Sequence, residues 1–256
     1  MITGEHELYL SRLLLNPRSR DLRRDLGNCH ELHRTILRAL PQIEDNEAKA
    51  RERFGVLHRL EIDQRQQKLT LLVQSFLKPD WSRLSSDYLL LTDEENPACK
   101  PVHETYSRLG AGQCLTFRVR ANPTRRVSGK NEQEAQWHGK RVEIRDEGQQ
   151  IAWLQRKGKE AGFKLASVRI NHTVPNVNLA PQGKLFGYRR NSQETSAGPA
   201  YEASGSNRRM AFGSVLFEGA LIVTDVEAFR AALVKGIGSG KAYGFGLLSI
   251  ARPVSF

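Results

Sequence analysis

Leu8-Tyr-Leu-Ser-Arg-Leu-Leu-Leu15, closed by Asn16-Pro17, sets the frame for the rest of the chain. Eight residues, six of them apolar, ended by a turn dipeptide have the length and punctuation of a strand. The next strong signal is Asn28-Cys-His-Glu-Leu-His-Arg34. Asn28 reads as a helix N-cap, and Glu31, three residues on, as the partner of a capping box. Leu32, Ile36 and Leu40 recur every four residues on one helical face until Pro41 stops the pattern.

Outward from this pair, Phe54 to Asp63 and Leu69 to Leu77 read as two strands of a hairpin. A short helix is predicted from Asp80 to Leu89, and a further strand from Val102 to Arg108. The order strand, helix, strand, strand, helix, strand is that of a ferredoxin-like split βαβ unit. The order recurs downstream. Cys114 to Ala121 alternates Leu115, Phe117 and Val119 with Thr116, Arg118 and Arg120. Helices are predicted at Glu147 to Gly162 and Asp225 to Lys235, and strands at Ser214 to Thr224 and Leu247 to Ile250. Ser167 to Arg209 reads as irregular, with 191–207 a mobile loop at the tip of a basic hairpin. The predicted fold is therefore α+β, two tandem ferredoxin-like domains over 1–109 and 110–256.

The balance of charge indicates a polyanionic partner. The chain has 256 residues, a formal net charge of +11 and a pI near 9.8. Its three cysteines, Cys29, Cys99 and Cys114, contain no CxxC pair, which argues against a zinc ribbon or a disulfide scaffold. The polar start, Met1-Ile-Thr-Gly-Glu-His-Glu7, does not read as a signal peptide, and no apolar run reaches membrane-spanning length. A cytoplasmic protein is expected.

Two motifs carry chemistry. His30 and His33 stand three apart on one helix, so they share a face. His-Glu-Leu-His is one residue short of the HExxH spacing of zinc proteases, and no metal is expected. Histidine gives and takes protons near neutral pH. A metal-free ribonuclease needs a base for the 2′-hydroxyl, an acid for the leaving 5′-oxygen and a cation for the phosphorane. His30, His33 and Arg34 could supply all three, beside the basic cluster of Arg18, Arg20, Arg23 and Arg24. The bland alternative is a pair of half-exposed helix histidines. Cys29 reads more safely as a small buried thiol than as a nucleophile.

The second motif is Gly236-Ile-Gly-Ser-Gly-Lys-Ala-Tyr-Gly-Phe-Gly246. It is one residue short of a Walker A box, and Ala242 stands where Ser or Thr would hold magnesium. It lacks the βαβ context of a dinucleotide site. No nucleotide cofactor is expected. Gly238, Gly240 and Lys241 are read as a loop that cradles a nucleic-acid backbone; the competing reading is a set of tight turns between helix and strand.

Six segments in order carry a resemblance to a known family: Tyr9-Leu-Ser-Arg-Leu-Leu-Leu-Asn16, Glu31-Leu-His-Arg34, Phe117-Arg-Val-Arg-Ala-Asn-Pro123, Ala152-Trp-Leu-Gln-Arg156, Val215-Leu-Phe-Glu-Gly219 and Gly236 to Ser249. Over nearly its whole length the chain resembles the CRISPR repeat-processing endoribonucleases of type I-E systems, the CasE family. The resemblance implies two ferredoxin-like domains and metal-independent cleavage of CRISPR precursor RNA at the base of the repeat hairpin, leaving a 2′,3′-cyclic phosphate. It also implies retention of the product and partnership with the other Cascade subunits. It makes His33 the catalytic histidine. Members with Glu-x-His-Arg here often carry tyrosine three residues earlier, where this chain has His30. Arg189-Arg190 match the family's Arg-Arg pair on a hairpin that grips the RNA stem. Asn191 and Ser192 follow, so the assisting lysine of some members has no counterpart there, and Arg208 or Arg209 is its nearest replacement. Arg23, Arg24, Arg34, Arg189, Arg190, Gly238, Gly240 and Lys241 are thus expected to bind RNA. The alternative is a catalytically silent RNA-binding subunit of a ribonucleoprotein complex.

Overall fold

The computed structural model describes residues 7–42, 47–128, 138–169, 173–189 and 208–253. The expected strand Leu8 to Leu15 is β1, Tyr9–Leu15. It lies in a four-stranded antiparallel sheet with β2 (Leu57–Asp63), β3 (Lys68–Ser75) and β4 (Ala98–Pro101), in the order β2-β3-β1-β4. This is the strand order that a ferredoxin-like unit requires. Helices α1 (Arg20–Gly27) and α2 (Cys29–Arg38) follow β1. Leu22, Leu32 and Ile36 from these helices bury against Leu13, Leu15, Leu71 and Val73 of the sheet. Each such side chain, once fully buried, contributes about 1.5–3 kcal/mol.

The cationic stretch Arg18 to Arg24, for which no element was predicted, is largely helical, capped by Ser19, whose side chain accepts from Leu22 N. Three expectations for this half are corrected. The predicted helix from Asp80 to Leu89 is a single 3₁₀ turn, Trp81–Arg83, capped by Asp80. Beyond it the backbone is drawn to β1, with Asn16 N donating to Tyr88 O and Leu90 N to Leu14 O. The predicted strand Val102 to Arg108 is helix α4, His103–Ser107. Its place beside β1 is held by β4, where Lys100 and Pro101 face Leu10 and Tyr9. The capping box is one-sided: Asn28 caps α2, but its own N–H donates to Asp25 O and Glu31 pairs with Arg34.

The second sheet repeats the order. β5 (Cys114–Ala121) is flanked by β12 (Arg208–Val223) and β13 (Leu248–Ala251), and β11 (Val177–Arg189) lies outside β12. The position beyond β12 is shared, because β8 (Phe163–Leu165) pairs with its far end. The predicted alternation of β5 holds: Leu115, Phe117, Val119 and Ala121 are buried. They meet Trp153 and Leu154 of α5 (Glu147–Glu160) and Phe229 and Leu233 of α6 (Val226–Lys235). Tyr106 and Leu109 pack on this second core.

The region expected to be irregular, Ser167 to Arg209, instead holds a small hairpin, β9 (Ser167–Arg169) with β10 (Thr173–Pro175), and then the long pair β11–β12. That pair runs from Val177↔Gly219 out to Arg189↔Arg208 as an arm. The loop 191–207 and Arg190 lie outside the described residues. One more hairpin, β6 (Thr124–Arg126) with β7 (Arg141–Glu143), and α3 (Glu47–Arg53) complete the elements.

The two sheets are bolted through β2 and β3. Arg59, 2% exposed, donates to Arg118 O at 3.1 Å, Leu247 O at 2.9 Å and Ser249 Oγ at 2.9 Å, and pairs with Glu61 at 2.7 Å. Gln74 Nε2 donates to Leu233 O at 3.0 Å, the carboxyl end of α6.

Candidate active site and RNA-binding surface

α2 begins where Asn28 Oδ1 accepts from His30 N at 3.1 Å. One turn along, His33 is buried, 3% exposed. It stacks on a histidine that the sequence analysis did not single out, His58 of β2, itself 1% exposed. Nδ1 of His33 and both ring nitrogens of His58 have no hydrogen-bond partner among the described residues. Burial, followed by the charges of His30 and Arg51, pushes His33 down to about 4. Burial, followed by His33 and Arg120, pushes His58 down to about 3. Both imidazoles are therefore neutral near pH 7.

His30 is half-buried, and its charge reaches His33. Cys29 is buried, and burial pushes its thiol up to about 11, so it is a packing group and not a nucleophile. Among the described residues no cluster of three or more His, Cys, Asp or Glu side chains is placed to hold a metal ion.

The glycine loop packs against α2 through a 3₁₀ turn, Lys241–Tyr243. Gly236, Gly238, Gly240, Gly244 and Gly246 all have φ between +74° and +86°. At Gly246 a Cβ would stand 2.6 Å from Ile237 O, so the tight-turn reading is met there. The loop also faces a cleft. Gly238, Ser239 and Lys241 line a basin of about 820 Å³ with Arg125, Arg126, Arg141, Arg156, Lys157 and Lys235 and, among the described residues, one carboxylate, Glu160. Gly240 lines an adjoining cleft of about 350 Å³ that shares Thr124, Arg141 and Ser239 and continues to Lys184 and Phe212 at the root of the arm. The two clefts form one basic trough from α6 to the arm.

Lys241 is half-buried, and burial, then Arg51, Lys157 and Lys235, lowers its pKa. The charge of Arg51, which itself pairs with Glu52 at 3.0 Å, acts on both Lys241 and His33. Phe212 of the arm packs on Tyr243 and Phe245 of the loop, with ring centroids 5.0 and 5.9 Å away.

The other expected residues are more scattered. Arg23 is exposed on α1. Arg24 pairs with Asp21 at 2.9 Å and with buried Asp25 at 3.0 Å, so its charge is already answered. Arg34 is exposed and pairs with Glu31 at 3.4 Å. Arg189 ends β11, one residue beyond the backbone of Tyr188, which Asn28 holds. The sequence analysis missed His58, Arg51 and the cations of the trough. A histidine inside the apolar run Val56-Leu-His-Arg-Leu60 and the pair Arg125-Arg126 were the available signals.

Two antiparallel sheets, each with the strand order of a ferredoxin-like unit, place the chain in the tandem ferredoxin-like class. Its sequence resolves the class further. The chain belongs to the CRISPR associated protein family, whose model matches residues 8–252, and to its type I-E, CasE-type endoribonucleases. It is 36% identical over 246 residues to the CRISPR-associated endoribonuclease Cse3 of Thermus thermophilus, covering 95% of this chain and 100% of the relative. It is 32% identical over 148 residues to the CRISPR system Cascade subunit CasE of Escherichia coli, covering 56% and 61% of the two chains. The solved structure of Thermus thermophilus Cse3 bound to an RNA representing a pre-cleavage complex superposes with a TM-score of 0.71 at 34% identity, covering 96% of this chain and 100% of that one.

Proposed function

We propose that the protein is the endoribonuclease that cuts CRISPR precursor RNA at the base of the repeat hairpin, holds the mature product, and joins the other subunits of a Cascade complex in the cytoplasm. It divides into an N-terminal unit, 1–109, that carries the histidine helix and a C-terminal unit, 110–256, that carries the arm and the glycine loop. The stem is gripped by the arm through Arg189 and Arg190. Its backbone follows the basic trough past Gly240, Gly238 and Lys241.

The observation that carries the chemistry is the neutral, buried His33, stacked on His58 and within range of the charge of Arg51, which also acts on Lys241. A neutral imidazole is ready to accept the 2′-hydroxyl proton. A phosphodiester arriving next to it favours the charged imidazolium, so the proton affinity of His33 rises as the substrate binds. The 2′-oxygen attacks phosphorus, and Arg51 and Lys241 offset the charge that grows on the phosphorane. The P–O5′ bond breaks, and His30, one turn away, delivers a proton to the leaving oxygen. The products are a 2′,3′-cyclic phosphate and a 5′-hydroxyl. Every role falls to a side chain, so the reaction requires no metal.

The test is incubation of the protein with a repeat-hairpin RNA in EDTA, beside His33→Ala and a substrate with a 2′-deoxy nucleotide at the cut. Cleavage that both changes abolish supports the reading. Tight binding by the wild type without cleavage identifies a silent RNA-binding subunit, and absence of binding overturns the reading altogether.

A further inference from the structure

The N-cap of the histidine helix is also the dock of the arm. Asn28 Oδ1 accepts from His30 N at 3.1 Å and from Tyr188 N at 3.0 Å. Asn28 Nδ2 donates to Tyr188 O at 3.2 Å. The two donors facing the oxygen fix which way the amide points. One side chain thus engages both backbone groups of Tyr188, on the edge of β11 turned away from β12, as a neighbouring strand would.

A second feature makes the approach possible. Gly187 faces Cys29, and a Cβ there would stand 2.8 Å from Cys29 Sγ and 3.2 Å from Met210 Cε. Only a residue without a side chain lets the strand reach the helix end this closely. The neutral, buried thiol of Cys29 fills the space beneath.

We propose that Asn28 is a positioning residue that fixes the distance and angle between the RNA-gripping arm and His33, and so selects which phosphodiester is cut. This rests on the endoribonuclease reading above. His33 stands five residues after Asn28, about 7.5 Å along the helix axis. On the other side of the clamp, Tyr188 is followed at once by Arg189. Both working ends are therefore tied to one amide through short stiff backbone. A stem seated on the arm presents its base to His33 in a fixed register, and loosening the amide misplaces the reacting atoms without removing either the grip or the histidine.

Three variants separate this role from helix capping. Asn28→Asp and Asn28→Ser keep an oxygen for His30 N, but an ionised aspartate has no donor for Tyr188 O, and the serine hydroxyl is too short to span to the strand. Gly187→Ala leaves Asn28 intact and pushes the strand away. Each is compared with the wild type on repeat-hairpin RNA for binding, single-turnover cleavage rate and product ends mapped at single-nucleotide resolution. The expected result is RNA affinity within about threefold of wild type, cleavage slowed about 10- to 100-fold and additional cuts at neighbouring bonds. Wild-type cleavage at the single wild-type bond in folded variants overturns the clamp. So does a fall in cleavage matched by an equal fall in affinity. If the wild type itself does not cut, the endoribonuclease reading falls and takes the clamp with it.

Discussion

The imidazole of His33 lies face to face with that of His58, the ring centroids 6.2 Å apart and the planes within 18°. One ring comes from α2 and the other from β2, so the histidine helix rests on the strand that joins the two halves of the molecule. Both rings are buried, and both have folded-state pKa values below the ordinary 6.5, near 4 and near 3. The unfolded chain therefore binds more protons than the folded one as pH drops below about 6.5. The stability these rings contribute is full above that pH and is lost as pH falls through about 4 and then about 3. Urea midpoints measured from pH 7 to pH 4 should decline, and they should decline less steeply for His58→Phe, which retains a ring but not the proton uptake.

With His33 as the proposed base, the same shift sets where the acid limb of catalysis should fall. A general base works only when unprotonated, and the profile of kcat/KM reports the free enzyme. With His33 near 4, kcat/KM should hold as pH is lowered through 6.5 and fall only near 4. A limb at 6.5 would mean that another group takes the 2′-hydroxyl proton.

Arg59 holds β2 to β5 and to the β13 segment by three hydrogen bonds, while its ion pair with Glu61 stays within β2. Removing it strands Leu247 O and Arg118 O in the junction and leaves Glu61 to Arg118 alone. Arg59→Ala should cost about 3–5 kcal/mol in equilibrium unfolding. Arg59→Lys should recover little, because one ammonium cannot span the four partners of the guanidinium fork.

RNA affinity should fall steeply with salt. Lys241→Ala and Arg156→Ala, which remove cations from the trough, should each lower the slope of log affinity against log salt by about 1. Arg24→Ala should change it less, since Asp21 and Asp25 already answer that charge. Equal slopes for all three would remove the trough from the RNA path.

Where backbone signals were local, the sequence could be read directly. The alternation of Cys114 to Ala121, the cap at Asn28 and the amphipathic stretch after Asp225 all reappear as elements. α1 was hidden because Arg20-Asp-Leu-Arg-Arg-Asp-Leu-Gly27 has only two leucines on its inward face, and its buried Asp25 is balanced from afar by the Tyr88 hydroxyl, which donates to it at 2.9 Å. Val102 to Arg108 carries strand-forming residues but arrives at an edge already occupied by β4. In the site, Glu31-Leu-His-Arg34 pointed to His33. His58 and Arg51 could not be found the same way, because their meaning depends on β2 and α3 meeting α2. The glycine loop allowed two readings, and it meets both: Gly246 is demanded by its own backbone, while Gly238 faces the cations.

β12 is one strand of 16 residues that serves two masters: Val215 to Ile222 pairs with β5 in the core, while Arg208 to Gly213 runs out with β11. Side chains on a strand alternate between faces, so inserting or deleting one residue between Val215 and Val223 would turn Phe217 and Leu221 out of the core. A change in the number of residues joining Arg189 to Arg208 disturbs no pair in the register. Descendants of this chain can therefore lengthen, shorten or recompose the arm's end to suit a different repeat, while the enzyme body that holds it is under no pressure to change.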